Sequence, residues 1–240
     1  HIAFVELGQR KVDHNEFENF KDFYTKDWQK FIDYNIVDVE LVSRLEEKMK
    51  LIELAVALAY DAKVNMQDVY YQVRMWDTLI YNFLNKKGIV VPPGKRSDKD
   101  EKYAGAYVKE PIAGRYNWVV SFDLNSLYPH LIMQYNISPE TLVEKRHPSA
   151  TVNGLLSQKI DVPKEFCLCA NGAMYRKDIH GFLPEMMKKI YDERVQSKKL
   201  MILAKQEYQK TPTKELEKNI SKYNNIQMAR KIQLNSAYGA

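Results

Sequence analysis

The sequence predicts an α+β, multidomain fold, and three patterns along its 240 residues support this prediction. Apolar residues recur with a helical period in residues 29–60 and again in 66–84. Short apolar runs separated by Pro, Gly and Asn favour strands and turns in residues 103–122 and 138–184. Two long helical patterns then follow one another between 185 and 234.

The composition is that of an ordinary soluble protein, with 45% hydrophobic and 28% charged residues. No apolar run approaches the roughly 20 residues that a membrane helix needs, so we expect a cytoplasmic protein without membrane association. The net charge of +5 is compatible with a nucleic-acid partner but does not by itself indicate one. Cys167 and Cys169 are one residue apart, where a disulfide would be strained, so reduced packing thiols are expected.

The first helical region, residues 29–60, carries apolar side chains at a spacing close to 3.6 residues. The second runs from about Met66 to Leu84 and is followed by Gly88 and a Pro-Pro-Gly sequence, which interrupt regular structure. A charged segment without apolar residues occupies 94–102. This segment predicts an exposed linker and a domain boundary.

In the next region, turn residues at Pro111 and Gly114 divide the strands predicted for 103–122. The last of these strands is the apolar run Trp118-Val-Val, which leads to a single carboxylate at Asp123. We therefore expect Asp123 at the end of a rigid strand.

A short helix is expected over residues 127–136, beginning at Pro129, because proline suits the first turn of a helix. Farther along, the pair Asn171-Gly172 predicts a β-hairpin, since Asn-Gly is favoured in two-residue turns.

The last region is predicted to be an antiparallel pair of helices over 185–210 and 214–234. Pro212 cannot continue the first helix, and Thr213 can cap the second. A short break between two long helices places them side by side.

A basic cluster is expected on this helical pair. Arg194 and Lys198 lie four residues apart and share a helix face. Lys231 lies almost as far beyond the proline break as Arg194 lies before it, so the three cations should meet at one level. Asn235 and Tyr238 follow Lys231 on the same face. The cluster suits a polyphosphate with a base or sugar beside it, and the alternative is a solvated basic face.

Two carboxylates are candidate metal ligands. Asp123 stands at a strand end, and Mg²⁺ prefers oxygen ligands of this kind. The alternative for Asp123 is a turn residue or a helix cap. Tyr34 and Asp38 are four residues apart in the first helical region and share a face, where the alternative is a surface pair.

Three ordered motifs resemble signatures of the family B DNA polymerases, most closely those of T4-like phages. Asp123-Leu-Asn-Ser-Leu-Tyr-Pro is similar to the family's motif A, and Lys231-Ile-Gln-Leu-Asn-Ser-Ala-Tyr-Gly is similar to its motif B. Tyr34-x3-Asp38 resembles the third motif of DnaQ-like 3′–5′ proofreading exonucleases, and Asn136-Ile-Ser-Pro-Glu-Thr extends the resemblance to the phage branch. His130 departs from the family, which often has Ser there. The family's Asp-Thr-Asp signature does not occur in the 240 residues.

The resemblance implies template-directed addition of a dNTP to a primer 3′-hydroxyl with two Mg²⁺ ions. Asp123 and the backbone of Leu124 would bind metal, Lys231 would join Asp123 in catalysis, and Tyr128 would exclude a 2′-hydroxyl. The nucleotide would be held by Leu124, Asn125, Ser126, Leu127, Tyr128, Arg194, Lys198, Lys231, Asn235 and Tyr238. Contacts with DNA are implied for Tyr103, Gly105, Tyr238 and Gly239. In the exonuclease remnant, Asp38 would bind metal and Tyr34 would position the attacking water.

The expected domain order combines a DnaQ-like exonuclease remnant, a partial palm β-sheet with helices, and antiparallel two-helix fingers. The expected boundaries are the end of the exonuclease domain at 1–55, connecting helices and linker at 56–102, half of the palm at 103–180, and fingers at 181–240. We expect a piece of a longer polymerase that is inactive alone and needs the missing N- and C-terminal segments. Its partners would be primer-template DNA, dNTP and replisome proteins such as a sliding clamp. The alternatives are a non-catalytic nucleotide- or DNA-binding subunit of a split polymerase, and the flank of an intein.

Overall fold

The computed structural model describes residues 1–93 and 108–239, which are mostly helical with one small antiparallel sheet. This confirms the α+β class. The chain forms two compact units. Unit 1 comprises His1–Tyr71 and Ser197–Ala229, and unit 2 comprises Gln72–Gln196 and Arg230–Ala240. The domain boundaries expected from the sequence remain predictions.

Unit 1 begins with four helices, two of which have starts capped by a short polar side chain. They are α1 (Ile2–Leu7), α2 (Phe20–Lys26), α3 (Trp28–Met49) and α4 (Leu51–Ala62), followed by a 3₁₀ helix at Met66–Tyr70. The side chain of Asn19 accepts a hydrogen bond from the first turn of α2, and Asp27 does the same for α3. Such caps satisfy N–H groups that have no partner within the helix.

The prediction of one continuous helix over 29–60 is wrong, because the chain turns sharply at Lys50. Lys50 adopts the left-handed conformation with φ 54°, and its N–H bonds to the carbonyl of Glu46. The Glu46 carboxylate then accepts hydrogen bonds from the backbone N–H groups of Leu51 and Ile52. Glu46 therefore closes α3 through its backbone carbonyl and caps the start of α4 through its side chain, which the apolar spacing alone does not reveal.

An aromatic cluster forms the core between α2 and α3. Phe23 is fully buried at its centre, stacked on Phe17 and edge-on to Phe31 and Tyr34. In another part of unit 1, the Glu53 carboxylate on α4 accepts hydrogen bonds from Ser221 and Asn225. These contacts join the first four helices to the later part of the chain that completes this unit.

Unit 2 contains the shorter elements and one end of each long helix. Its complete elements are α5 (Gln72–Lys86), α6 (Leu127–Gln134), a 3₁₀ helix at Pro139–Thr141, α7 (Val152–Leu156), β1 (Phe166–Leu168) and β2 (Met174–Arg176). The long helices are α8 (Phe182–Lys210) and α9 (Lys214–Ser236). Buried Met75, Met187 and Leu234 come from α5, α8 and α9 and belong to the core of this unit.

The strand predicted to carry Asp123 is absent from the described residues of this region. Residues 108–122 contain no strand, and Trp118 is 97% exposed in a left-handed conformation. A strand needs a neighbour for its backbone hydrogen bonds, and no described residue pairs with this segment. The part of the prediction that covers 103–107 and the whole predicted linker at 94–102 lie outside the described residues. The helix expected from Pro129 begins two residues earlier, at Leu127.

The hairpin predicted around Asn171-Gly172 is present, but its turn is longer than predicted. β1 and β2 pair antiparallel with Leu168 opposite Met174. The N–H of Gly172 bonds to the carbonyl of Cys169, and Gly172 takes φ 83°. The N–H of Cys169 bonds to the carbonyl of Ala173, which leaves a three-residue loop at 170–172. Gly172 supplies the left-handed residue at the end of this loop, where an added Cβ would lie 2.9 Å from the carbonyl oxygen of His147.

Both cysteines beside this hairpin are free, as expected. Burial, together with the nearby Cys167, raises the pKa of the Cys169 thiol. Cys169 therefore stays protonated at neutral pH, as a packing residue does.

The two long helices predicted after residue 184 are confirmed. Thr213 caps α9 by accepting a hydrogen bond from the N–H of Leu216 at 3.2 Å. At the end that lies in unit 2, Arg230 of α9 forms an ion pair with Glu193 of α8 at 2.6 Å. The two chain segments are therefore adjacent at this level, as the antiparallel arrangement predicted.

The start of α8 is held by side chains from the loop that follows α6. Glu140 accepts a hydrogen bond from the N–H of Phe182 at 2.6 Å, and the Ser138 hydroxyl accepts one from Leu183 at 3.4 Å. Buried Asn136 bonds to the backbone of Ile179 and Gly181 just before the helix. These contacts hold the start of α8 within unit 2.

No helix within residues 1–93 and 108–239 combines the length and the apolar character that a crossing of the bilayer requires.

Candidate functional site

The segment that carries Asp123 reaches α6 without regular structure. Asp123, Leu124 and Asn125 are exposed. Ser126 is half-buried and occupies the left-handed region with φ 54°. This conformation is unfavourable for a residue with a Cβ, so it persists only where neighbouring contacts hold it.

Ser126 joins the start of α6 to a cation on α8. Its side chain makes no capping hydrogen bond to α6. Instead, its hydroxyl accepts a hydrogen bond from Arg194, with 3.2 Å between Nη1 and Oγ. The first N–H groups of a helix lack partners within the helix, and such a helix start favours anions. A guanidinium group and a helix start therefore lie together in unit 2.

Arg194 retains hydrogen-bonding capacity in this arrangement. Its Nε is buried without a hydrogen-bond partner among the described residues. A guanidinium group offers five N–H donors, and phosphate or carboxylate oxygens satisfy them in pairs. An anionic ligand would add acceptors that the described protein atoms do not provide.

Lys231 on α9 lies at the same level of the helical pair as Arg194 on α8. The ion pair between Glu193 and Arg230 joins the residues directly before them. Lys231 is exposed on α9, and Asn235 follows it one turn later, also exposed. The level predicted for these two cations thus agrees with the structure, while their role in binding stays a prediction.

Tyr128 and Tyr238 meet across unit 2. Tyr128 lies in the first turn of α6, and Tyr238 follows the end of α9. Their rings stack with centroids 4.3 Å apart and planes 23° apart. Each tyrosine is about half exposed. The stack brings the predicted motif A and the predicted motif B together in one place.

The end of α9 is anchored by a tryptophan that the sequence did not indicate. The indole N–H of Trp76 on α5 donates to the hydroxyl of Ser236 at 3.0 Å, and Trp76 is 3% exposed. Ser236 in turn donates to the carbonyl of Gln233 at 3.1 Å. A lone Trp in a helical pattern is usually a core residue, so no sequence signal pointed to this contact.

The described residues do not by themselves form a metal site. Within residues 1–93 and 108–239, no group of three or more His, Cys, Asp and Glu side chains is arranged to hold an ion. Asp123 offers one exposed carboxylate next to the backbone carbonyl of Leu124. Two Mg²⁺ ions need several shared oxygen ligands, and one carboxylate does not meet that requirement.

The predicted exonuclease pair lies in unit 1, and its carboxylate is already engaged. Tyr34 is 8% exposed in the aromatic core, edge-on to His14. One oxygen of Asp38 accepts a hydrogen bond from Lys11 at 2.8 Å, while the other is buried without a partner among the described residues. The hydrogen bond and the charge of Asp38 raise the pKa of Lys11 above its ordinary value of 10.5. No sequence pattern points to Lys11 as the partner of Asp38, because 27 residues separate the two.

The remaining predicted residues are not brought to this site by any described contact. Lys198 is exposed on α8 in unit 1, one helical turn beyond Arg194. Leu127 is partly exposed in the first turn of α6, and Gly239 is exposed after α9. Tyr103 and Gly105 lie outside the described residues.

Comparison with known proteins shows which family this arrangement resembles. Residues 65–240 match the family model described as DNA polymerase family B. The DNA-directed DNA polymerase of Escherichia phage RB69 is 39% identical over 177 residues, which are 73% of this chain and 19% of that protein. The DNA-directed DNA polymerase of Enterobacteria phage T4 is 36% identical over 178 residues, covering 72% of this chain and 19% of that protein. A DNA polymerase of Pyrococcus glycovorans is 37% identical over 139 residues, covering 58% of this chain and 15% of its own length. The chain thus spans about a fifth of the phage relatives.

Proposed function

Since the chain belongs to DNA polymerase family B and is close to the T4-like phage members, we propose that it supplies the nucleotide-gripping part of a DNA-directed DNA polymerase. The observation that carries the proposal is the hydrogen bond from Arg194 to Ser126 at the start of α6. In this contact a cation of α8 binds the hydroxyl of a residue in the predicted motif A.

The triphosphate of the incoming dNTP would lie between these elements. Arg194 and Lys231 would neutralise its charge, with Lys198 contributing from the next turn of α8. The N–H groups of Leu127 and Tyr128, in the first turn of α6, would add donors. Pro129 has no N–H, so the donors at this helix start are the residues before it.

The base and sugar would lie against the stacked tyrosines. Tyr128 would pack beneath the sugar and oppose a 2′-hydroxyl, while Tyr238 and Asn235 would line the base. A flat aromatic surface accepts any of the four bases because each has a π face. Tyr238 and Gly239, with Tyr103 and Gly105, would face the primer-template DNA.

The reaction would be attack of a primer 3′-hydroxyl on the α-phosphate of the dNTP, with release of pyrophosphate. Phosphoryl transfer depends mainly on positioning and on stabilisation of charge, which are the tasks of Arg194, Lys198 and Lys231 in this proposal. Family members generally use divalent metal ions, and Asp123 would be one ligand.

A second role is proposed for unit 1. Tyr34 and Asp38 would belong to a 3′–5′ proofreading site, in agreement with the buried Asp38 oxygen that lacks a protein partner. In the described structure Lys11 neutralises this carboxylate, so Lys11 would have to share it with any metal ion. A sliding clamp and other replisome proteins are proposed partners of the complete enzyme. A subunit that binds nucleotide without catalysis is the alternative.

The proposal is tested by dNTP binding to the purified chain, measured by equilibrium dialysis with and without Mg²⁺. Arg194→Ala and Lys231→Ala should each weaken binding about tenfold, since a charge-assisted hydrogen bond contributes about 1.5–3 kcal/mol. Lys189→Ala removes one exposed cation from the same helix and should leave binding within about twofold, as expected of an exposed charge outside the site. Equal losses in all three variants would reject a specific site.

A further inference from the structure

His130 lies one helical turn after Ser126 and binds it directly. Its Nδ1 is 2.9 Å from the carbonyl oxygen of Ser126. A carbonyl only accepts, so Nδ1 carries the proton and donates it. The backbone N–H of His130 also bonds to the same oxygen, at 3.2 Å. The carbonyl of Ser126 therefore receives two hydrogen bonds from one residue.

The ring of His130 also contacts α8. The ring meets Tyr191 edge-on, with centroids 4.7 Å apart and planes at 81°. Tyr191 precedes Arg194 by three residues, so both side chains project from the same side of α8. His130 therefore has two contacts. It touches α8, which carries Arg194, and it binds Ser126, the residue that Arg194 also binds.

Ser126 is consequently held from two directions in a conformation that needs support. Its φ of 54° is costly for a residue with a Cβ. His130 fixes its carbonyl, and Arg194 binds its hydroxyl. Without the imidazole donor the carbonyl keeps only the backbone N–H of His130, so the Ser126 backbone, and with it the hydroxyl that Arg194 binds, is held less firmly.

We propose that His130 is a positioning residue that holds Ser126 so that the Ser126 hydroxyl restrains the Arg194 guanidinium for triphosphate binding. The inference goes beyond the proposed function and rests on it only for its nucleotide-binding consequence. His130 touches neither reacting atoms nor ligand in this scheme.

The first experiment needs no nucleotide. Side-chain ¹⁵N NMR of the free chain would follow the Arg194 Nη and Nε–H signals in wild type and in His130→Phe, which keeps an aromatic ring against Tyr191 but removes the donor. Restraint by Ser126 slows guanidinium rotation, so these signals should broaden or shift in His130→Phe. His130→Asn can still donate to the carbonyl four residues earlier and should restore the wild-type spectrum.

The matched control is His180→Phe, which replaces another exposed histidine of unit 2. Unchanged Arg194 signals in His130→Phe, or equal changes in His180→Phe, would overturn the inference. Tyr191→Leu provides a second variant in case His130→Phe folds poorly, and it should loosen Arg194 to a smaller degree.

The second experiment measures dNTP binding. His130→Phe should weaken binding about threefold to fivefold, because the lost hydrogen bond is exposed and acts through Ser126. In a double-mutant cycle with Ser126→Ala, this effect should disappear, which a general loss of stability would not produce. Full additivity of the two substitutions would contradict the inference. A wild-type chain that binds no dNTP would contradict the proposed function instead, and the NMR experiment would still decide the role of His130.

Discussion

Tyr128 and Tyr238 stack with ring centroids 4.3 Å apart, although 110 positions separate them in the chain. The contact joins the first turn of α6 to the residues that follow α9. It therefore brings a residue of the predicted motif A into contact with a residue of the predicted motif B.

The stack predicts a difference between two substitutions of Tyr238. Tyr238→Phe keeps the ring and should bind dNTP as the wild type does. Tyr238→Leu loses the stacking energy, about 0.5 kcal/mol at a half-exposed site, and should weaken binding about twofold. Equilibrium dialysis measures both, with Tyr81→Leu as a control for loss of an exposed tyrosine in unit 2. Equal binding by the Leu and Phe variants would show that the ring does not contribute.

The surroundings of Asp123 lead us to expect that the isolated chain does not catalyse primer extension. Among the described residues Asp123 has no companion carboxylates for a metal site, so the purified chain should not extend a primed template. In a longer polymerase containing this chain, Asp123→Asn should lower the extension rate by several orders of magnitude. Asp192→Asn, at an exposed carboxylate on α8 paired with Lys188, should leave the rate unchanged. Primer extension by the isolated chain would refute the first expectation, and normal extension by Asp123→Asn the second.

Replacement of Glu53 should lower the stability of unit 1. The Glu53 carboxylate accepts hydrogen bonds from Ser221 and from Asn225, whose side chain is buried. Glu53→Ala leaves these donors unpaired and should lower the free energy of unfolding by about 1 kcal/mol. Glu53→Gln retains an acceptor and should lose less. Thermal unfolding followed by circular dichroism measures the difference, and identical melting of the Ala and Gln variants would contradict the assigned contact.

The ion pair between Lys11 and Asp38 should make the stability of unit 1 sensitive to alkaline pH. The folded pKa of Lys11 is raised above the ordinary 10.5, mainly by the hydrogen bond to Asp38. A raised lysine pKa stabilises the folded state at pH values below the unfolded pKa, and the contribution is lost as pH rises through the folded pKa. The melting temperature should therefore fall more steeply above pH 10.5 in the wild type than in Lys11→Met. Parallel curves for the two proteins would contradict the link to Asp38.

The sequence predicted the long helices better than the strands. The break at Pro212 and the cap at Thr213 act locally, so α8 and α9 were predictable from nearby residues. The run at Trp118 had strand character, but a strand also needs a pairing neighbour, and local sequence does not supply one. The break at Lys50 is local but leaves the apolar spacing unchanged, because it depends on the left-handed backbone of Lys50 and on the Glu46 carboxylate that caps α4.

The sequence by itself determined the family, through Asp123 to Pro129 and Lys231 to Gly239, and the level at which Arg194 and Lys231 stand. These features depend on residue order and on helical spacing, which the chain carries locally. Only the tertiary structure decided three contacts. Arg194 binds the Ser126 hydroxyl, His130 binds the Ser126 carbonyl, and Lys11 forms an ion pair with Asp38. Such contacts join residues that are distant in the chain or depend on one particular backbone conformation, so they exist only after packing has brought the partners together.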